Sequence, residues 1–116
     1  IMFRVRNFRE LIPYKKAINI LTEMLKEDLA GEDIKDIRFA VTKICGYIAQ
    51  SQGSSLYKNE SKKHLTKALK WTTILDKKIR ELNLEDEKKK KYKNEVLQIR
   101  RILISFRNKL EENVNE

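Results

Sequence analysis

The chain has 116 residues, 41% hydrophobic and 37% charged, which is too apolar for a disordered polymer and too charged for a membrane-embedded one. That length fits a single domain, residues 1–116, able to bury about two-thirds of the surface its unfolded chain exposes. With 26 Lys and Arg against 17 Asp and Glu, the net charge is +9, so polyanions head the list of partners. The lone cysteine, Cys45, excludes an internal disulfide and a cysteine-cluster zinc site.

Residues 1–7 are broken by charge and lack the apolar stretch of a secretory signal, so they are expected to form an arm, with cytoplasmic residence as the default. Within it, only Met2–Val5 has any strand character. A first helix is predicted from Ile12 or Pro13, where the missing proline N–H has no intrahelical partner to lose, to Asp28, with Ala30-Gly31 as its stop. Its core stripe is expected to be Leu11, Tyr14, Ile18, Leu21 and Leu25. A second helix should run from Glu32 to Gln50 with Ile34, Ile37, Val41, Ile44 and Ile48 inward, and Ser51–Ser55 should form a loop. The longest charge-free stretch, Ile44 to Tyr57, has 14 residues including three serines and two glutamines, so it cannot span a bilayer and no membrane partner is expected.

A third helix is predicted over Asn59–Leu82, burying Leu65, Ala68, Leu69, Thr72, Leu75, Ile79 and Leu82. The fourth, Glu85–Glu112, opens with Glu85, Asp86 and Glu87, which suits the positive end of the helix dipole. It carries Tyr92, Val96, Ile99, Leu103, Phe106 and Leu110 inward. Four amphipathic helices with short connections define an all-α, antiparallel up-down-up-down four-helix bundle.

Apolar residues also fall outside these stripes. Phe39 and Tyr47 on the second helix, Leu97 and Ile104 on the fourth, and Ile12 and Ile20 on the first mark a second buried surface, most simply an interface with other copies of the chain. Arg100, Arg101 and Arg107 flank the Leu97/Ile104 seam, and Arg100 and Arg101 are assigned to the same interface. The charge excess concentrates on the third helix: residues 57–83 hold eight Lys/Arg and three Asp/Glu, whereas residues 31–56 hold three of each. Lys63, Lys67, Lys70, Lys77 and Lys78 fall within about 100° of one another on the outer face, with Trp71 at its edge. These six residues are the candidate nucleic-acid site, the lysines for backbone phosphates and Trp71 for stacking. The competing assignment is a solvated lysine face. The run Lys88–Lys91 is expected to be solvated.

Catalysis has little to work with. Cys45 falls on the core face and His64 beside the lysines, and no phosphate-cradling glycine loop or inward Glu-x-x-His pair is present. No enzyme activity, catalytic residue, metal or cofactor is expected.

Phe8-Arg-Glu-Leu11-Ile-Pro-Tyr14-Lys-Lys-Ala17 resembles the opening Phe-Arg-Asp-Leu-x-Val-Trp-Gln-Lys-Ala of the four-helix 23S rRNA-intervening-sequence proteins. Asp36-Ile37-Arg38-Phe-Ala40 and the segment Ile44 to Gly53 are similar to that family's Gln-Ile-Arg-Arg-Ala and Ile-Pro-Ser-Asn-Ile-Ala-Glu-Gly-x-Gly, and Leu65-x-x-Ala68-Leu69 with Leu75 falls in register. Cys45, Tyr47 and Gln50 replace the family's proline, asparagine and glutamate. Lys70, Trp71 and Ile74 stand where small or acidic residues are usual. In its basic third helix the chain resembles more closely the branch containing the accessory variability determinant of diversity-generating retroelements.

That resemblance implies a homopentamer of four-helix protomers, a reverse transcriptase as partner, and nucleic acid, RNA foremost, held on basic side chains. The expected function is therefore that of a non-catalytic, oligomeric nucleic-acid-binding accessory protein. The alternative is a scaffold whose basic face docks an acidic protein.

Overall fold

The computed structural model describes residues 8–53 and 57–114, with side chains placed for residues 9–53 and 57–110. After a 3-10 turn at Phe8–Glu10 come α1 (Ile12–Met24), α2 (Gly31–Gly53), α3 (Lys58–Glu81) and α4 (Asp86–Val114), with no strand among the described residues. The expected arm, the Met2–Val5 strand character and the last two residues of the Ser51–Ser55 loop lie outside the described residues.

Each helix packs against its sequence neighbours and α1 closes against α4, while the diagonal pairs do not touch: an antiparallel up-down-up-down four-helix bundle. The α2/α3 pair forms the most extensive contact. All seven residues assigned inward on α3 are buried, as are Ile37, Val41, Ile44 and Ile48 of α2 and Tyr92, Val96, Ile99 and Leu103 of α4. Phe106 and Leu110, further along α4, are only half-buried. Helix lengths account for this: at 1.5 Å per residue α4 spans roughly 43 Å and α1 roughly 20 Å, so the last turns of α4 have no α1 alongside them.

The first helix departs from expectation in phase and length. Its buried residues are Pro13, Ala17, Ile20 and Met24, while Ile18 and Leu25 are exposed and Leu11, Tyr14 and Leu21 line the rim of the core. Two overlapping apolar stripes occupy this helix, and the one through Ala17, Ile20 and Met24 turns inward. Lys16 Nζ lies 3.4 Å from Glu95 Oε2, and Glu27 Oε1 lies 2.8 Å from Lys88 Nζ, tying one edge of the segment to α4. The helix ends at Met24 instead of Asp28 because the backbone tightens there, Lys26 N–H donating to Glu23 O and Glu27 N–H to Met24 O. That tightening delivers Glu27 to α4, where Tyr92 Oη donates to its Oε2 at 3.0 Å.

The second helix runs three residues past Gln50, consuming half of the expected loop. Ser51 is buried there; its hydroxyl donates to Ile48 O at 2.7 Å, and its own carbonyl accepts from the Ser61 hydroxyl of α3 at 2.9 Å. A carbonyl that would otherwise be orphaned at the helix end is thus satisfied across the connection.

Candidate nucleic-acid interface

The α2/α3 surface is built from two runs that lack carboxylates. Residues 37–53 of α2 and residues 61–75 of α3 contain no Asp or Glu, yet hold Arg38, Lys43, Lys62, Lys63, Lys67 and Lys70. Most acids of the pair sit at the other end, Glu32, Asp33 and Asp36 on α2 and Asp76 and Glu81 on α3, while Glu60 in the first turn of α3 borders the acid-free run. Because the helices are antiparallel, both acid-free runs share one half of the bundle and both acidic groups the other.

This polarity divides the predicted lysine stripe. Lys63, Lys67, Lys70 and Lys77 are exposed on α3, and Lys63, Lys70 and Lys77 recur every two turns, about 10 Å apart. Lys63 has only a loose contact, 3.8 Å to Glu60 with both side chains exposed, which leaves it available. Lys78 is different. Its side chain is 20% exposed and its Nζ sits 2.9 Å from Asp33 Oδ1 and 3.1 Å from Asp36 Oδ2. Hydrogen bonds to Asp33 and then Asp36 hold its pKa above the ordinary lysine value. Lys78 therefore clamps α3 to α2 and leaves the candidate site.

Aromatic side chains border the stripe on its α2 side. Trp71, half-buried, meets Phe39 edge-on with ring centroids 5.4 Å apart, and Phe39 remains 54% exposed. Two turns away, Tyr47 stacks on His64 at 6.4 Å. A lysine stands over each α2 ring: Lys43 Nζ is 5.3 Å from the Phe39 centroid and Lys67 Nζ 5.7 Å from that of Tyr47. His64 Nδ1 is buried without a hydrogen-bond partner among the described residues. Lys43 and His64 were not among the predicted site residues. The absence of acids from both runs is a sequence signal that could have found them.

The residues assigned to a second interface are scattered. Ile20 is 1% exposed inside the protomer's own core, so it cannot meet another copy. Its place on the inward stripe of α1 follows from the phase of that helix. Phe39 and Tyr47 pack against α3 of the same chain, as just described. Arg100 is latched internally: its Nη1 donates to Thr72 Oγ1 at 2.8 Å, Thr73 Oγ1 at 2.7 Å and Leu69 O at 3.2 Å, satisfying acceptors along one edge of α3. Arg107 reaches Thr66 of α3 at 3.4 Å. Ile104 is half-buried against the core, and Arg101 is exposed. Ile12 and Leu97, 58% and 43% exposed, remain uncovered on α1 and α4.

The lysine run of α4 is less uniformly solvated than its composition implied. Lys88 holds Glu27, and Lys89 Nζ donates to Arg80 O at 2.9 Å. Arg80, Asp86, Lys89, Lys90, Lys93 and Asn94 line a shallow cleft of about 330 Å³. It adds a second concentration of positive charge where α3 hands over to α4.

Burial pushes the Cys45 thiol up to about 12, far from the reactive thiolate range, and keeps it a small apolar side chain. No group of three or more His, Cys, Asp or Glu capable of holding a metal occurs among the described residues, and no helix there is long and apolar enough to cross a membrane. Comparison with protein-family models, with curated proteins and with solved structures found no match to this chain.

Proposed function

We propose that the protein is a non-catalytic nucleic-acid-binding accessory protein that assembles from several copies and holds structured RNA on the exposed face of α3. The observation that carries this is the row Lys63, Lys67 and Lys70 on a stretch of α3 without a single carboxylate. Ammonium groups at repeated helical spacing, met only by the loose, exposed contact of Glu60 with Lys63, attract a phosphate backbone and release its counterions. Lys77 extends the row toward the acidic half. The resemblance to the branch containing the accessory variability determinant supports the RNA preference, a five-fold assembly and a place beside a reverse transcriptase. Exposed Ile12 and Leu97 supply apolar surface for contact between copies.

A titration of labelled structured RNA by fluorescence anisotropy at several salt concentrations tests this, with the assembly mass measured on the same sample. The expected result is a steep loss of affinity with salt, and its abolition in the triple variant Lys63→Glu, Lys67→Glu, Lys70→Glu with helicity and mass unchanged. An affinity that survives the three reversals removes the proposal. Absence of RNA binding even at low salt leaves an acidic protein as the partner of this face.

A further inference from the structure

Phosphate contacts account for the lysines and leave the aromatic border unexplained. Phe39 is among the large apolar side chains most exposed to water, and it lies beside the only tryptophan of the chain. The two aromatic pairs follow the same groove. Phe39 and Tyr47 are eight residues apart on α2, about 12 Å of helix, and their partners Trp71 and His64 recur at matching spacing on α3. Each α2 ring has an ammonium above it, and the lysine row of α3 runs alongside.

A duplex offers this arrangement little, because its base faces are stacked on one another and only phosphates, sugars and base edges reach the surface. An unpaired strand offers both halves of the match: π-faces for the rings and a phosphate for each lysine. We infer that the α2/α3 groove takes an unpaired stretch of RNA, bases stacking on Phe39 with Trp71 and on Tyr47 with His64, and phosphates lying along Lys43, Lys67 and Lys70. In the free protein the Lys43 and Lys67 ammonium groups occupy the positions over the rings; an incoming base displaces them onto its own phosphates. The inference rests on the nucleic-acid role proposed above and adds to it the single-stranded substrate. Within residues 37–53 and 61–75 no carboxylate repels the backbone, the nearest acids, Asp36 and Glu60, standing at the ends of the two runs.

Trp71 makes the test direct, since tryptophan emission comes from one site in the chain. An oligouridylate of about 12 nucleotides, within the usual site sizes for such grooves, is titrated against the full chain beside an RNA duplex of equal charge. The expected result is saturable quenching of Trp71 by the oligouridylate, and tighter binding of it than of the duplex. Phe39→Ala should weaken the oligouridylate by between about 5- and 150-fold, the range reported by alanine substitution at stacking positions, and leave the duplex unchanged. Phe39→Leu keeps apolar bulk without a ring and should behave like the alanine variant. Full rescue by leucine, or equal affinity of wild type and Phe39→Ala for the oligouridylate, overturns the inference. So does a change in assembly mass with RNA affinity intact, which makes Phe39 a contact between copies. If lysine reversal abolishes duplex binding while Phe39→Ala is silent, the nucleic-acid role stands and the single-strand inference falls. If neither RNA binds, both fall together.

Discussion

The two halves of the α2/α3 pair use the same residue type for opposite ends. In one half Lys78 is drawn between Asp33 and Asp36 and works as a clamp. In the other, Lys63, Lys67 and Lys70 project from a run with no acid, and Lys43 and Lys67 rest only on aromatic faces. What separates a clamped lysine from an exposed one here is the neighbouring helix. Lys77 and Lys78 are adjacent in the chain, yet one is exposed and the other holds two carboxylates.

The largest expected effect sharpens that division. Reversing Lys63, Lys67 and Lys70 to glutamate should weaken RNA binding by at least about 100-fold, roughly 2.7 kcal/mol, with no change in thermal stability. Arg100→Ala should do the reverse, because its guanidinium satisfies buried Thr72 and the Leu69 carbonyl. Hydrogen bonds from a charged donor are worth about 1.5–3 kcal/mol, so urea unfolding should show a loss near 2 kcal/mol while RNA affinity stays within twofold. A large drop in RNA affinity for this variant would break the separation between cations that hold the fold and cations that bind. Lys78→Ala, at a partly exposed pair, should cost about 1 kcal/mol of stability and leave binding unchanged. If it weakens RNA as strongly as a change at Lys70, the acidic half belongs to the interface and the division drawn at residue 76 is wrong.

The bundle itself was legible because α2, α3 and α4 each carry one dominant apolar stripe, and the seven inward residues of α3 follow from spacing alone. On α1 the pattern is ambiguous, since Pro13/Ala17/Ile20/Met24 and Tyr14/Ile18/Leu21/Leu25 are both continuous. The choice between them is made by packing against α2 and α4, which the helix's own sequence does not contain. The same limit applies to the site. Exposed lysines on α3 could be read from helical phase, but whether each has a partner depends on the register of α2 and α4 against α3. That is why the partners of Lys78 and Arg100, and the ring of Trp71 beside the still exposed Phe39, are not legible in the sequence. The acid-free runs were visible in the sequence, but only antiparallel packing shows that they coincide.

The smallest effect concerns the closure of α1 on α4 and sets a control for the rest. Glu27 has its pKa held below the ordinary value of 4.5, chiefly by the hydrogen bond from Lys88 and next by that from Tyr92. The Tyr92 hydroxyl is pushed up by burial and by Glu27, so it stays protonated and keeps donating across the neutral range. A depressed carboxylate pKa means that the folded state favours ionised Glu27. Its stabilisation is therefore complete above about pH 4.5 and disappears as pH falls through the lowered value. Glu27→Gln keeps an acceptor for Tyr92 and removes the charge that Lys88 reads. The variant should melt a few degrees below wild type at pH 7, and the gap should close as both are acidified below 4.5. Because this contact lies on α1 and α4, away from the α2/α3 groove, RNA affinity should not follow the gap. A coupled loss of binding at neutral pH would show that α1 docking sets the α2/α3 geometry, and that the two halves of the bundle are less independent than their charges make them look.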